Sequence, residues 1–380
     1  MTPREASMSH VRHIIGCMTG TSIDGIDAAA VRVRGRGVSM HATFLCLASL
    51  PLGRCEAPLR RLASQEPMTA GEISRLMTDF ASLHVDACRE AWKDARDAHG
   101  APPSPDLIAA HGQTVFHQPP HSWQLLQPAP VAAAMGVPVV CDLRQADLAA
   151  GGQGAPLTPM ADYVLFARPS SPVHVVNLGG FCNVTIVPPR AEGDGEASHL
   201  ERASRIQGRD VCPCNHLLDE VARRGMGRPY DADGREAMEG RVDAGLHREL
   251  RDVLATLGRG GRSLGTGDEL GSLVARFLEI AGPGDVAATA CAAIADLAVA
   301  ALPMEGPVLL LGGGARNGRL EREFRRAAGP RRVESPPMPA EAREAACWAV
   351  LGALAEDGVE VSLPAVTGRG ASRTPGLWTR

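Results

Sequence analysis

A tight turn near the start of the chain constrains the fold more than any other segment. The apolar run at residues 14–18 leads into Gly20-Thr21-Ser22-Ile23-Asp24-Gly25-Ile26-Asp27, and small and β-branched residues resume at 28–33. This order predicts a β-hairpin whose tip carries glycines, hydroxyls and carboxylates. Such a tip presents backbone N–H groups to an anion, and a nearby aspartate can hold the Mg²⁺ that bridges phosphoryl oxygens. The turn has no Walker lysine, which argues against a P-loop NTPase.

Length and composition favour an ordinary globular protein that binds a small ligand. The 380 residues predict roughly two domains, and the 44% apolar content is enough for real cores. The net charge is −4 and aromatic residues make up only 3% of the chain, so a nucleic-acid partner has little support. We find no apolar segment at the N-terminus typical of a signal peptide, nor a stretch of the ~20 residues needed to span a bilayer. We therefore expect a cytoplasmic protein with no membrane partner.

The opening hairpin has a counterpart in the second half of the chain. Strand-like residues 173–177 are followed by the turn Leu178-Gly179-Gly180-Phe181-Cys182-Asn183 and by a returning strand at 184–187. Between the two hairpins we predict a helix over about 69–97 and strands at 107–110 and 138–142. The repetition predicts a duplicated α/β fold with one phosphate-facing hairpin from each half and the ligand between them.

A third glycine-rich turn follows the strand-like segment 307–311. Its sequence is Gly312-Gly313-Gly314-Ala315-Arg316-Asn317. Three glycines permit close approach of the backbone to a ligand at a helix N-terminus, although a plain structural turn is the alternative. Its position after two phosphate-type hairpins favours a nucleotide contact.

The remaining motifs of the chain resemble one known family. They are His111-Gly112-Gln113-Thr114, Asp147-Leu148-Ala149-Ala150-Gly151-Gly152-Gln153-Gly154-Ala155-Pro156-Leu157, Pro229-Tyr230-Asp231-Ala232-Asp233-Gly234 and Leu363-Pro364-Ala365-Val366-Thr367-Gly368. Together with the three glycine-rich turns, they resemble the anhydro-N-acetylmuramic acid kinases, in family order over nearly the whole chain.

The resemblance implies a fold and an assembly. The family belongs to the actin, Hsp70 and sugar kinase superfamily, so we expect α/β architecture: two actin-like (ribonuclease H-like) domains with mixed sheets flanked by helices and an ATP cleft between them. We expect residues 1–160, joined by 355–380, to form the first domain and residues 161–354 the second. The resemblance also implies a homodimer.

A reaction is implied as well. ATP and water together open 1,6-anhydro-N-acetylmuramic acid, water attacking the anomeric carbon while O6 receives the γ-phosphoryl group with Mg²⁺ as cofactor. The product is N-acetylmuramic acid 6-phosphate, a step of peptidoglycan recycling.

Two carboxylates are the catalytic candidates. The family's Gly-x-Asp-Thr-Gly-Pro-Gly-Asn motif corresponds to Gly208-Arg209-Asp210-Val211-Cys212-Pro213-Cys214-Asn215, which makes Asp210 the candidate base that activates water. Helix capping is the structural alternative for Asp210. Glu344 matches a family glutamate on a helix facing the cleft, where it would position Mg²⁺ or sugar; a solvent-facing helical carboxylate is the alternative.

The remaining candidates divide by ligand. For ATP and its phosphates we predict Gly20, Thr21, Ser22, Ile23, Asp24, Gly25, Ile26, Asp27, Asn177, Gly179, Gly180, Gly312, Gly313, Gly314 and Asn317. For the sugar we predict Gln113, Thr114, Arg144 and Asn215, and for the metal Asp24 and Glu344. Arg144 would pair with the lactyl carboxylate through a bidentate fork, or else form an ion pair with Asp142 or Asp147. For His111 and His117 we expect hydrogen-bonded core roles rather than proton transfer.

Two segments depart from the family pattern. Val211-Cys212-Pro213-Cys214 replaces Thr-Gly-Pro-Gly, and residues 262–267 keep only part of a Lys-Ser-Thr-Gly-Arg-Glu pattern. These departures leave open another anhydro sugar, such as levoglucosan, or a non-catalytic ATP-binding clamp. The thiols of Cys212 and Cys214, with Cys17 and Cys182, could bind a soft metal or respond to oxidants, but we expect most cysteines to be buried apolar residues.

Overall fold

The computed structural model describes residues 10–20, 22–191, 195–259, 268–370 and 376–379. The chain forms two compact units. Unit 1 comprises Met1–Pro169, Arg190–Gln207 and Ala342–Arg380, and unit 2 comprises Ser170–Pro189 and Gly208–Glu341. This division differs from the sequence-based boundaries, which placed residues 161–354 in the second domain. The main reason is the helix Arg343–Glu356, which packs on the sheet of unit 1.

The strands form one larger sheet in unit 1, a small hairpin beside it and one sheet in unit 2. In chain order they are β1 (Val11–Met18), β2 (Gly25–Arg34), β3 (His41–Pro51), β4 (Leu107–Ala110), β5 (Gln113–Gln118), β6 (His121–Leu125), β7 (Val139–Cys141), β8 (Val173–Leu178), β9 (Phe181–Val187), β10 (Gln207–Pro213), β11 (Val308–Leu311), β12 (Val333–Glu334) and β13 (Leu377–Thr379).

The α-helices are α1 (Glu56–Ala63), α2 (Ala70–His99), α3 (Pro128–Met135), α4 (Leu143–Ala149), α5 (Thr158–Phe166), α6 (Glu196–Ala203), α7 (Asn215–Val221), α8 (Arg235–Glu239), α9 (Ala244–Arg259), α10 (Asp268–Leu278), α11 (Pro283–Ala300), α12 (Gly318–Ala328), α13 (Arg343–Glu356) and α14 (Pro364–Thr367). Short 3₁₀ segments occur at Gly37–Ser39, Gly53–Cys55, Ala232–Gly234, Gly313–Arg316 and Ala340–Ala342.

The sheet of unit 1 is mixed and is built around β1. Its order is β13-β7-β4-β1-β2-β3, with β2 antiparallel and β4 parallel to β1. Ile15 and Cys17 belong to the core that includes Phe80 of α2, whereas Gly16, which points to the other face because side chains alternate along a strand, lies against α13. The sheet is therefore covered by helices on both faces.

The long helix α2 begins and ends where its sequence predicts. Thr69 caps the N-terminus in a reciprocal capping box with Glu72, and Gly100 takes the left-handed conformation, with φ 61°, after the last turn. The predicted helix over 69–97 is confirmed, and so are both glycine-turn hairpins.

Unit 2 repeats the strand pattern of unit 1. Its sheet has the order β10-β9-β8-β11-β12, and its central strand β8 also has an antiparallel neighbour, β9, on one side and a parallel one, β11, on the other. The predicted α/β class with mixed sheets and a repeated hairpin is thus confirmed.

Helix α11 forms the centre of the core of unit 2. It contacts α8, α9 and α12, and Val286, Ile294 and Val299 are among its buried side chains. Among the described helices, it alone is long and apolar enough to cross a bilayer, and 67% of that segment is buried inside the protein. Burial of this extent is typical of a core helix.

Candidate active site

The loop between β1 and β2 is a closed turn with polar groups at its tip. The amide of Ile23 donates to the carbonyl of Gly20 at 3.2 Å, and Ile23 takes a left-handed conformation with φ 51°. The Ser22 hydroxyl donates to Asp24 Oδ1 at 2.8 Å, on the exposed side of the loop. Thr21, a predicted phosphate contact, lies outside the described residues. The sequence thus forms the polar hairpin tip that a phosphate group requires.

The base of the same hairpin brings a carboxylate close to Glu344. Asp27 of β2 lies opposite Met18 of β1. The Oδ1 atom of Asp27 accepts a hydrogen bond of 2.5 Å from the hydroxyl of Ser49. Burial raises the pKa of Glu344, in the first turn of α13; the charge of Arg343 opposes this shift, and that of Asp27 adds to it. The hairpin carboxylate that acts on Glu344 is therefore Asp27.

Asp27 and Glu344 fit a magnesium ion. Two neighbouring, partly desolvated carboxylates repel each other, and a divalent cation relieves that repulsion. Mg²⁺ is typically held by one or two carboxylates, with phosphate oxygens and waters as the other ligands. Asp24, predicted as a ligand together with Glu344, is exposed and bonded to Ser22. Within the described ranges, no cluster of three or more His, Cys, Asp and Glu side chains forms a metal site.

His111 holds the guanidinium group of Arg144. Nε and Nη2 of Arg144 lie 3.2 and 3.0 Å from His111 Nε2, which must accept because an arginine has only donors. Burial and the charge of Arg144 lower the pKa of His111 well below its ordinary value, so the ring is neutral. The His111 ring also packs against Trp348 of α13, with 4.7 Å between ring centroids. His111 therefore has the hydrogen-bonded core role that we expected, and it also orients the guanidinium group of Arg144.

Arg144 makes no ion pair with Asp142 or Asp147 in the described structure. Asp147 instead accepts hydrogen bonds of 2.7 Å from the Gly154 amide and the Thr367 hydroxyl. Burial lowers the pKa of Arg144, and the charges of Asp142 and Glu344 offset part of that shift. Because His111 occupies the Nε edge, the Nη1–Nη2 edge of the guanidinium is the one that remains for a second partner.

Several buried polar atoms around this part of unit 1 have no hydrogen-bond partner among the residues that the structure describes. They are Thr19 Oγ1, His111 Nδ1, Gln113 Oε1, Thr114 Oγ1 and Asp142 Oδ1. The amide nitrogen of Gln113 donates to the carbonyl of Gly20 at 3.3 Å, which links these residues to the first hairpin. Buried polar atoms in folded proteins are nearly always bonded, so such a group indicates a polar ligand or ordered water. The sequence predicted Gln113 and Thr114 but not Asp142; the only signal was an aspartate directly after a buried strand.

In unit 2 the turn between β8 and β9 is tied to the start of α7. The Gly180 carbonyl accepts from the Cys214 amide at 2.8 Å, and the Gly179 carbonyl accepts from the Asn215 amide at 3.0 Å. The Asn215 side chain donates to the carbonyl of Leu178 at 3.1 Å. Asn215, predicted as a sugar contact, thereby also fixes the glycine turn.

The triple-glycine turn lies against the same strand end. Gly312 has φ 81°, and a Cβ there would lie 2.7 Å from Oδ1 of Asn177, while one on Gly314 would lie 2.8 Å from Oδ1 of Asn215. Only glycine fits such close approaches. The structure therefore brings together three predicted elements of unit 2: Asn177, the Gly179-Gly180 turn and Gly312 to Gly314.

Asn317 has a structural role that the sequence did not predict. Its Oδ1 caps α12 by accepting from the amides of Arg319 and Leu320 at 3.0 and 3.1 Å. Gly234 lies so close to this side chain that a Cβ would overlap it. Asn317 thus connects the 229–234 motif to the triple-glycine turn.

Asp210 lies in β10, ahead of α7 and not at its N-cap, which is Cys214. Its carboxylate is exposed and accepts no hydrogen bond from any residue in the described part of the chain, and desolvation by the neighbouring protein raises its pKa. Asp219, within α7, has its pKa raised to about 6 by burial, against the charge of Arg223. A raised carboxyl pKa close to neutrality favours proton acceptance at physiological pH.

The cysteines of the divergent segment are buried. Cys212 and Cys214 are both fully inaccessible, and Cys182 lies beside Cys212, whereas Cys17 of unit 1 lies beside Cys88. Burial raises the pKa of Cys214 well above its ordinary value, which disfavours a reactive thiolate. Cys214 has φ −123°, so the replaced glycines leave no strained left-handed cysteine. Residues 262–267, the other departure, lie outside the described part of the chain.

Comparison with known proteins extends the similarity over the whole length. The anhydro-N-acetylmuramic acid kinase family matches residues 12–378. The enzyme of that name from Bordetella parapertussis is 37% identical over 389 residues, covering 96% of this chain and 95% of its own. The one from Salinibacter ruber is 32% identical over 391 residues, with coverage of 96% and 95%.

Two solved structures that match the chain are more distant in sequence. Component A of (R)-2-hydroxyglutaryl-CoA dehydratase from Acidaminococcus fermentans has a TM-score of 0.40 at 11% identity, covering 90% of this chain and 98% of its own. The ROK hexokinase from Thermus thermophilus has a TM-score of 0.33 at 14% identity, with coverage of 89% and 97%. The match over residues 12–378 and the identity with curated relatives show that the chain belongs to the anhydro-N-acetylmuramic acid kinase family and is a phosphotransferase with an alcohol group as acceptor.

Proposed function

We propose that this kinase uses ATP and water to convert 1,6-anhydro-N-acetylmuramic acid into N-acetylmuramic acid 6-phosphate. The oxygen of water bonds to the anomeric carbon, the bond from that carbon to O6 breaks, and O6 takes the γ-phosphoryl group as ADP leaves. One proton of the attacking water passes to a carboxylate of the protein. Membership of the family, over nearly the whole chain, supports this assignment.

The observation that carries the proposal is the state of Asp210. A general base needs a carboxylate that is free to accept a proton, and Asp210 has no bonded partner among the described residues and a pKa raised above its ordinary value. Its backbone precedes α7, whose first residues hold the Gly179-Gly180 turn. We infer that Asp210 accepts the proton of the attacking water.

Different residues would bind the metal and the phosphates. Asp27 and Glu344 would hold Mg²⁺, which neutralises charge on the transferred phosphoryl group when bound. Backbone N–H groups of the first hairpin and of the Gly179-Gly180 turn would bind phosphate oxygens, and Gly312 to Gly314 would allow the nucleoside to approach the backbone. The cofactors proposed are therefore ATP and Mg²⁺.

The sugar would bind to the unpaired polar atoms of unit 1. Gln113 and Thr114 offer an amide oxygen and a hydroxyl without partners in the described structure. The free Nη1–Nη2 edge of Arg144 matches a carboxylate, which the lactyl group of the muramic sugar supplies and levoglucosan lacks. This edge favours the muramic substrate.

A substrate panel tests the assignment. Purified protein with Mg-ATP is given either 1,6-anhydro-N-acetylmuramic acid or levoglucosan, and phosphorylated products are identified by mass spectrometry. We expect kcat/KM to be at least about 100-fold higher for the muramic sugar, because loss of a charge-assisted contact removes roughly 1.5–3 kcal/mol and other contacts to its substituents are lost too. Preference for levoglucosan would contradict the substrate, and inactivity on both would favour a non-catalytic ATP-binding clamp.

The proposed setting is the cytoplasm, where the enzyme would recycle cell-wall sugar as a homodimer without nucleic-acid or membrane partners. Light scattering on the eluting protein tests the assembly. We expect a mass twice that of the 39.9 kDa chain. A mass equal to that of one chain would contradict the homodimer.

A further inference from the structure

A cavity apart from the candidate active site lies in unit 2 among α9, α11 and α12. Its volume is about 670 Å³, within the usual range of small-molecule sites. Ionisable side chains line much of it: His247, Arg248, Arg251, Asp296, Glu323 and Arg326. None of them belongs to the residues assigned above to ATP, metal or sugar.

Two of the cavity's carboxylates are already neutralised. Asp296 lies 2.8 Å from Nη2 of Arg326 and 3.0 Å from Nε2 of His247. Glu323 pairs with Arg326 at 2.6 Å and with Arg319, a neighbour on the same helix, at 2.8 Å. These contacts leave neither carboxylate as the partner of another arginine.

Arg248 and Arg251 are the unmatched cations of the cavity. They are three residues apart on α9 and so project from the same side of the helix. Neither side chain forms a hydrogen bond or ion pair with another residue of the described ranges, and Nε of Arg251 is buried without an acceptor. A buried, unbonded guanidinium N–H is unfavourable unless something absent from the protein chain accepts its hydrogen bond.

We propose that this cavity binds a phosphorylated sugar. A phosphate dianion matches the two guanidinium groups in charge and in donor geometry. Asp252, which lines the cavity beside them and forms no ion pair within the described structure, accepts hydrogen bonds from sugar hydroxyls. The site is independent of the reaction proposed above.

Calorimetric titration tests this site, with the nucleotide site filled by Mg²⁺ and a non-hydrolysable ATP analogue. The probes are glucose 6-phosphate, inorganic phosphate and glucose. We expect glucose 6-phosphate to bind most tightly and glucose not to bind. The Arg251→Gln and Arg248→Gln variants should each bind glucose 6-phosphate at least about tenfold more weakly.

Arg322→Gln is the matched control, because it removes the same charge from α12 at an exposed position outside the cavity lining. Its titration should equal that of the unaltered protein. Absence of binding, or binding that both cavity variants retain, would overturn the proposal. If phosphate and glucose 6-phosphate bind with equal affinity that depends on the arginines, the cavity is a site for free phosphate. That result would overturn the proposal that it binds a phosphorylated sugar. Arg248 is exposed, so its variant tests the site even if Arg251→Gln fails to fold.

Discussion

Glu344 shows how a single residue combines burial with function. Its position in the first turn of α13 brings it under the influence of Asp27, Arg144 and Arg343. Burial and the charge of Asp27 raise the pKa of Glu344, so the folded protein disfavours the ionised form of this carboxyl group. A bound cation would reverse that balance, which is why we propose Asp27 and Glu344 as the metal ligands.

Removing this carboxylate should weaken metal binding selectively. In a Glu344→Gln variant we expect the Mg²⁺ concentration for half-maximal activity to rise at least about tenfold and kcat to fall about 100-fold, since the amide carries no charge for the cation. Steady-state rates measured across a Mg²⁺ series check this. Glu341→Gln, an exposed change three residues earlier, is the control. An unchanged Mg²⁺ requirement in Glu344→Gln would contradict the metal role.

Asp219 predicts a pH dependence of stability. Its pKa is raised to about 6, so the folded state binds its proton more tightly than the unfolded state does. The associated stability is present below the ordinary pKa near 4 and is lost as the pH rises through about 6. We expect Asp219→Asn to melt about 2 °C higher than the unaltered protein at pH 8 and to lose most of that advantage at pH 4.5. Thermal melts of both proteins at pH 4.5 and pH 8 test this. A variant that melts at a lower temperature than the unaltered protein at pH 8 would contradict the predicted direction of the effect.

At the scale of elements, α13 determines the geometry of unit 1. It packs on β1 because Gly16 has no side chain: a Cβ there would overlap the carbonyl of Ala345 and approach the amide of Ala349. A Cβ on Gly352, on the same helix, would lie 2.5 Å from the Cβ of Ala109 in β4. Small residues on both surfaces thus allow the backbones to approach and hold Glu344 near Asp27.

A methyl group on Gly16 should separate α13 from the sheet. We expect Gly16→Ala to lower the free energy of unfolding by about 3 kcal/mol or more, because backbone atoms cannot yield as side chains do. Urea denaturation measures the loss. Gly195→Ala is the matched control, since φ is −81° and no atom lies within 4 Å of the added Cβ. Equal stability of the two variants would contradict this packing.

A buried ion pair anchors the start of α13. Nε and Nη2 of Arg343 contact the two carboxylate oxygens of Asp162 at 3.0 and 2.5 Å, and both side chains are inaccessible. We expect Asp162→Ala to destabilise the protein by about 3–5 kcal/mol, because it leaves a buried charge unpaired. An Asp162→Leu, Arg343→Met double variant should recover most of that loss. If Asp162→Ala unfolds at the same urea concentration as the unaltered protein, the pair is not an anchor.

At the scale of the whole molecule, local patterns predicted the local structure. The two glycine-turn hairpins and the helix α2 each follow from residues close together in the chain. The order of the motifs along the chain also indicated the family, and the family match over residues 12–378 confirms it.

Contacts between distant segments could not be predicted in this way. His111 and Arg144 meet because β4 ends and α4 begins at the same edge of the sheet, and Asp27 acts on Glu344 across more than three hundred residues of sequence. Neither spacing nor periodicity encodes such a contact. The placement of α13 in unit 1 depends on the same long-range packing, which explains why the predicted boundary at 354 differs from the observed division.

The most direct test of the proposed reaction follows oxygen from water. The kinase is given Mg-ATP and 1,6-anhydro-N-acetylmuramic acid in ¹⁸O-labelled water, and the product mass is measured for the unaltered protein, for Asp210→Asn and for Asp86→Asn, an exposed control on α2. We expect a product with one phosphate and one labelled oxygen, formed about 10²–10⁴-fold more slowly by Asp210→Asn alone. A phosphorylated product without label, or full activity in Asp210→Asn, would contradict a hydrolytic kinase with Asp210 as its base.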